Sequence, residues 1–176
     1  MSSETGTIGS QLSVATGTQV LYSGSSMASP IAQLPASAYD GLIVVSSKPP
    51  REVARLVEEA GGDPSSVGHV PISGAEYAYD GPMWTSEPLV PDDLTGLSMR
   101  LSRAFEALGD GWLLVENLNV FLLYAAEDRV IRFFDHVTRL AADYGITGVY
   151  SLVPDAVPAE TCDRLKHGVD EVYVDR

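Results

Sequence analysis

Two rhythms of apolar and polar positions alternate along the chain. Short runs that are apolar on both faces occur at residues 19–23 (QVLYS, followed by Gly24) and 41–46 (GLIVVS); 112–118 (WLLVENL) reads as a buried strand with polar residues at its C-terminal end, and 147–153 (TGVYSLV) and 169–174 (VDEVYV) as further strands. Runs of this length and pattern predict strands of a parallel sheet covered by helices on each side. Between them the spacing turns helical. Residues 51–60 (REVARLVEEA) place Val53, Leu56, Val57 and Ala60 at i, i+3, i+4 and i+7 ahead of a Gly61-Gly62 stop. Asp92 or Asp93 is placed to cap a helix through Leu108, with Leu94, Leu97, Leu101, Phe105 and Leu108 on one face and Gly109 as terminator. Two further helices are predicted over 127–144 and 158–166. Residues 68–73 (GHVPIS) form a strand whose Pro71 restricts it to an edge or a strand end. Pro30 and Pro35 exclude a long helix over 25–40, and Pro82, Pro88 and Pro91 make 77–91 irregular.

Strands alternating with helices predict an α/β fold, a three-layer sandwich around a mostly parallel central sheet with right-handed crossovers. The chain of 176 residues is long enough for one core. A single domain is expected over 19–176, preceded by a flexible tail over 1–18 that is rich in Ser, Thr and Gly and has neither the basic nor the apolar region of a secretory leader. In such sheets, sites form at the carboxyl ends of the strands. That directs attention to residues 24–29, 46–48, 116–119 and 152–155.

Charge narrows the function. Against 24 Asp plus Glu stand 11 Lys plus Arg, a net charge of −13, and only Lys48 and Lys166 among the cations are lysines. Such a carboxylate-dominated surface suits a protein kept soluble in molar salt, where the Debye length falls to about 3 Å and self-repulsion is screened. A halophilic cytoplasm is the expectation. No cluster of Lys and Arg is available for phosphate backbones, so nucleic acid is not expected as a partner. The longest apolar stretch, around 112–126, is broken by Glu116, Asn117 and Asn119, so no membrane insertion is expected.

The strand-end phrases and the order of elements over 19–176 resemble a RecA/KaiC-like P-loop ATPase domain of haloarchaeal type. A strand ends in Gly24, a hydrophobic strand follows, then a helix ends near Ala60-Gly61, and GDGWLLVENLNVFLLY takes the place of the Walker B strand and its loop. The resemblance implies a RecA-like topology. It also implies what is missing. A working phosphate loop reads G-x-x-x-x-G-K-[ST], whose amides, lysine and hydroxyl hold the phosphates and Mg²⁺. Here the chain reads Gly24-Ser25-Ser26-Met27-Ala28-Ser29-Pro30, with no second glycine and no lysine. The Walker B aspartate position holds Glu116, followed by Asn117, and Ser46-Ser47-Lys48 stands where a catalytic glutamate follows the second strand in such families.

Other chemistries find no constellation. His69, His136 and His167 lack ligand spacing, with His136 expected to pack on the Phe133/Val137 side of its helix; Cys162 has no evident base beside it. No catalytic residue, cofactor or metal is assigned. Glu116 is expected to be a solvated strand-end carboxylate or a turn cap, and Lys48 a solvated lysine. Tyr77, Tyr79, Met83 and Trp84 either anchor a partner or cover their own sheet edge. The helix-to-loop stretch Phe121-Leu122-Leu123-Tyr124 is unusually apolar for a connector, and since RecA-like domains stack through nearby surfaces, the resemblance implies self-association. The expected function is therefore a non-catalytic regulatory or protein-interaction module without ATP hydrolysis. The alternative is a nucleotide-binding sensor or weak NTPase that uses Gly24, Ser25, Ser26, Glu116 and Asn117.

Overall fold

The computed structural model describes residues 12–24 and 29–175. The segments 19–23, 41–46, 68–73, 112–118 and 147–153 become strands with nearly every position buried: β1 (Gln19–Gly24), β2 (Leu42–Ser46), β3 (Val67–Pro71), β5 (Trp112–Val115) and β6 (Thr147–Leu152). The short β4 (Trp84–Thr85) and the more exposed β7 (Glu171–Asp175) form the two edges. The sheet runs in the order β4-β3-β2-β5-β6-β1-β7. Every neighbouring pair is parallel, so the sheet is wholly rather than mostly parallel. Pro71 is the last residue of β3, where its missing N–H costs no ladder bond.

Helices cover both faces. On one lie α2 (Leu94–Leu108), α3 (Leu118–Tyr124), α4 (Glu127–Asp143) and α5 (Ala159–Lys166). Their apolar stripes, including Leu97, Leu101, Phe105, Val130, Phe134 and Leu165, pack into one core. Asp93 caps α2 by accepting from the Gly96 N–H at 2.9 Å. On the other face, α1 (Pro50–Glu59) and the 3-10 turns Pro30–Gln33 and Ala36–Asp40 bury Ile31, Leu34, Tyr39, Val53 and Val57. The prolines of 25–40 thus replace a long helix by two short turns.

Within the stretch expected as a tail over 1–18, Leu12 is buried with its N–H on the Gln33 carbonyl at 2.8 Å, and the Gly17 N–H meets Thr147 Oγ1 at 3.0 Å, while Ser13, Ala15 and Thr16 are exposed; residues 1–11 lie outside the described residues. Two local expectations are corrected. The strand expected through Leu118 stops at Val115, because Asn117 takes a left-handed conformation (φ 70°) and starts α3, so the expected connector 121–124 is helical. His136 is exposed instead of packed.

Parallel register carries the strand ends to one edge. Val45 lies opposite Val115, Tyr22 opposite Ser151, and Gly24 opposite Asp175. The residues that follow these positions meet there.

Candidate functional site

At this carboxyl edge, Ser46 closes β2 and Glu116 follows β5, its N–H held by the Val45 carbonyl at 2.8 Å. Glu116 is 7% exposed and fully engaged by its neighbours. The Ser46 hydroxyl donates to Oε1 at 2.8 Å, and Lys48 Nζ donates to Oε2 at 3.0 Å. The Lys48 backbone N–H donates to Ser46 Oγ at 3.0 Å, which fixes the turn that carries the lysine to the carboxylate. Neither residue is the solvated side chain that strand-end position suggested. A buried carboxylate needs a counter-charge and donors, and Ser46-Ser47-Lys48 supplies both.

Behind this pair lies His69 on β3, fully buried, with Nε2 3.4 Å from the Ser46 carbonyl. Its Nδ1 has no partner among the described residues. Burial pushes the imidazole pKa down to about 4, against the smaller upward pulls of the Ser46 carbonyl and the Glu116 charge. The ring is neutral at pH 7. The spacing of the histidines gave no signal for it; the available signal was its place in the strand expected over 68–73, between Gly68 and Val70.

On the other side of Glu116, the Asn117 N–H donates to Ser151 Oγ at 2.6 Å, and Asn117 Oδ1 is buried without a partner among the described residues. Asn119 clasps the end of β6, donating to the Val153 carbonyl at 3.0 Å and accepting from its N–H at 2.9 Å. Tyr22 donates to Asp175 at 2.9 Å and stacks on Tyr173 with centroids 5.0 Å apart. Burial, aided by that carboxylate, raises the Tyr22 hydroxyl's pKa well above the usual tyrosine value, so it stays protonated.

A cleft of about 110 Å³ runs between these groups, lined by Tyr22, Gly24, Lys48, Glu116, Asn117 and Asp175. The structure therefore brings Gly24, Glu116 and Asn117 together. Ser25 and Ser26 lie outside the described residues. Ser29 uses its hydroxyl to cap the turn at Pro30, accepting from the Ile31 N–H at 3.2 Å. Tyr22, Ser151 and Asp175 had drawn no attention, because a tyrosine, a serine and an aspartate in strands carry no pattern until register places them together. Among the described residues, no group of three His, Cys, Asp or Glu side chains is arranged to hold a metal ion. No helix among them is long and apolar enough to cross a membrane.

The fold is that of KaiC-like proteins. A KaiC-like protein of the hyperthermophilic archaeon Pyrococcus horikoshii OT3 superposes with a TM-score of 0.63 at 13% identity, covering 90% of this chain and 71% of that one. A second Pyrococcus horikoshii OT3 protein superposes with a TM-score of 0.61 at 11% identity, covering 93% of this chain and 84% of that one. A comparison with curated proteins finds no match. A family model matches residues 17–173, the whole of the sheet but its last two positions, and the chain accordingly belongs to the family of unknown function DUF7504.

Proposed function

We propose that this chain is a non-catalytic module of RecA/KaiC-like fold that works through protein contacts, without ATP hydrolysis, in a salt-rich cytoplasm. One observation carries the reading. The carboxylate at the Walker B-like position is already neutralised from within, by Lys48 at 3.0 Å and Ser46 at 2.8 Å. A Mg²⁺ ion would have to displace an internal cation to reach Glu116. The lysine lines the cleft but spends its charge on that carboxylate, so a phosphate would have to compete with Glu116 for it. The cleft of about 110 Å³ also falls below the roughly 300–1,000 Å³ of sites that enclose ligands of drug size. Asp175 at its rim adds negative charge unfavourable to a triphosphate.

The second reading, a nucleotide sensor using Gly24, Glu116 and Asn117, draws support from the unpartnered Asn117 Oδ1 beside the cleft. A buried acceptor without a donor is costly, and a ligand amine would supply one. Calorimetric titration with ATP, ADP and Mg²⁺ in 2 M KCl separates the two. Silence with all three is expected; micromolar affinity for any of them replaces the module by the sensor.

A further inference from the structure

The cleft at the carboxyl edge of the sheet keeps three polar groups that the Lys48–Glu116 pair does not use. Lys48 and Glu116 neutralise each other at 3.0 Å, so Asp175 is the charge left over on the lining, and it makes no ion pair among the described residues. Its Oδ2 accepts from the Tyr22 hydroxyl at 2.9 Å, which leaves the hydroxyl oxygen itself free to accept. The stack on Tyr173 holds that ring in place. The third group is the side chain of Asn117, whose buried Oδ1 has no donor among the described residues.

The backbone holds Asn117 there under strain. It is the one non-glycine residue among those described with a positive φ, at φ 70° and ψ 74°, and its N–H is pinned to Ser151 Oγ at 2.6 Å. Glycine would adopt that conformation more easily. A strained backbone that carries an unsatisfied buried acceptor places two unfavourable terms on one residue, and a ligand donor beside Oδ1 removes the second.

The lining also selects the chemistry of the ligand. Three acceptors with a net negative charge suit a cation that has several N–H donors, and a primary ammonium has three. A quaternary ammonium has the charge without the donors. A volume of about 110 Å³ equals the liquid share of roughly three or four waters, enough for a few heavy atoms and too little for a nucleotide. Gly24 keeps that space open: a Cβ there would lie 3.7 Å from Tyr22 Cε1 and 4.0 Å from Asp175 Oδ2, in ordinary contact with the lining.

We infer that the cleft binds a small primary ammonium through Asn117 Oδ1, the Asp175 carboxylate and the Tyr22 hydroxyl oxygen, with Lys48 left on Glu116. The inference goes beyond both readings above: the module gains a small-molecule ligand, and that ligand carries no phosphate.

NMR titration of the ¹⁵N-labelled full chain with propylammonium chloride in 2 M KCl tests this. Shifts at the Gly24 amide and the Asn117 side-chain amide are expected to saturate with a Kd of about 1 mM, within reach of a ligand of so few heavy atoms. Asn117→Gly relieves the backbone and removes the acceptor, and Asp175→Asn removes the charge while keeping an oxygen for Tyr22; each should raise Kd at least tenfold. Glu58→Gln makes the same charge change on the exposed side of α1 and should leave Kd unchanged. Thermal melts check that the variants are folded, and Gly24→Ala, which narrows the cleft without a clash, replaces either one that is not. Tetramethylammonium, which has no N–H, should not bind. The absence of saturable shifts up to about 100 mM, an unchanged Kd in the folded variants, or equal binding of tetramethylammonium overturns the inference. Separate titrations with ATP, ADP and Mg²⁺ read the proposed function: micromolar ATP affinity sinks that reading and leaves the ammonium result standing, whereas a silent propylammonium titration sinks this inference and leaves the module standing.

Discussion

Replacing Lys48 by methionine keeps most of the side chain's volume and removes the charge that Glu116 faces. The carboxylate then keeps the Ser46 hydroxyl but loses its counter-charge while only 7% exposed. Breaking a fully buried pair costs about 3–5 kcal/mol, and an exposed pair is worth about 0–1 kcal/mol. Lys48 is 27% exposed at its side chain, which places this pair between the two limits, at about 2 kcal/mol. For a domain of this length that lowers Tm by roughly 4–8 °C. Glu116→Gln should cost less, about 1 kcal/mol, because the freed lysine can turn to solvent and the amide oxygen still accepts from Ser46. Melts of the wild type and both variants at 0.1 and 2 M KCl supply the assay. The reasoning fails if Lys48→Met is as stable as the wild type. It fails equally if the loss disappears at 2 M KCl, since salt screens an exposed pair and leaves a buried one largely intact.

Four further outcomes are expected. His69 has a folded pKa of about 4, below its ordinary value of 6.5, so the unfolded chain binds the extra proton; stability should be intact above pH 6.5 and fall by about 3 kcal/mol as pH drops toward 4. Denaturant titrations across that range, compared with His69→Gln, read the histidine's share. A Cβ at Gly148 would press on Gln19 Oε1 and lie 2.5 Å from the Tyr150 hydroxyl, so Gly148→Ala should destabilise by about 2–3 kcal/mol, measured as a lower denaturation midpoint at unchanged m-value. From the net charge of −13, Tm should rise steeply between 0.1 and 2 M KCl, and a salt-independent melt would remove the halophilic reading. Ala28→Lys with Ser29→Thr should yield no ATPase in a phosphate-release assay, because the nest glycine and the base are absent as well.

The fold was legible because burial on two faces writes itself into sequence. The run GLIVVS has one physical use in a domain of this size, and β2 with all five positions buried fulfils it. Helix ends were legible for the same reason: Asp93 and Gly109 bound α2 through local chemistry. The site was legible only as positions. Glu116, Asn117 and Lys48 were singled out from strand ends, but the attraction of Lys48 for Glu116 spans 68 residues and depends on β2 lying next to β5. Tyr22 with Asp175, 153 residues apart, is the same case. Asn117 misled for a local reason. A side chain that tolerates positive φ ends a strand where hydrophobicity alone would continue it.

The place of β1 in the sheet also governs how the chain folds as it is made. Its two neighbours, β6 and β7, are the last strands in sequence. At about 5–20 residues per second, the ribosome needs roughly 6–25 s between finishing β1 and reaching β6. During that interval Val20, Leu21 and Tyr22 have neither edge paired. β2, β3, β4 and β5 can assemble around α1 and α2 in the meantime, and β1 is threaded in afterwards between the two latest strands. Docking of β1 is therefore expected to come late in folding, with the QVLYS strand open to misassociation until it is complete.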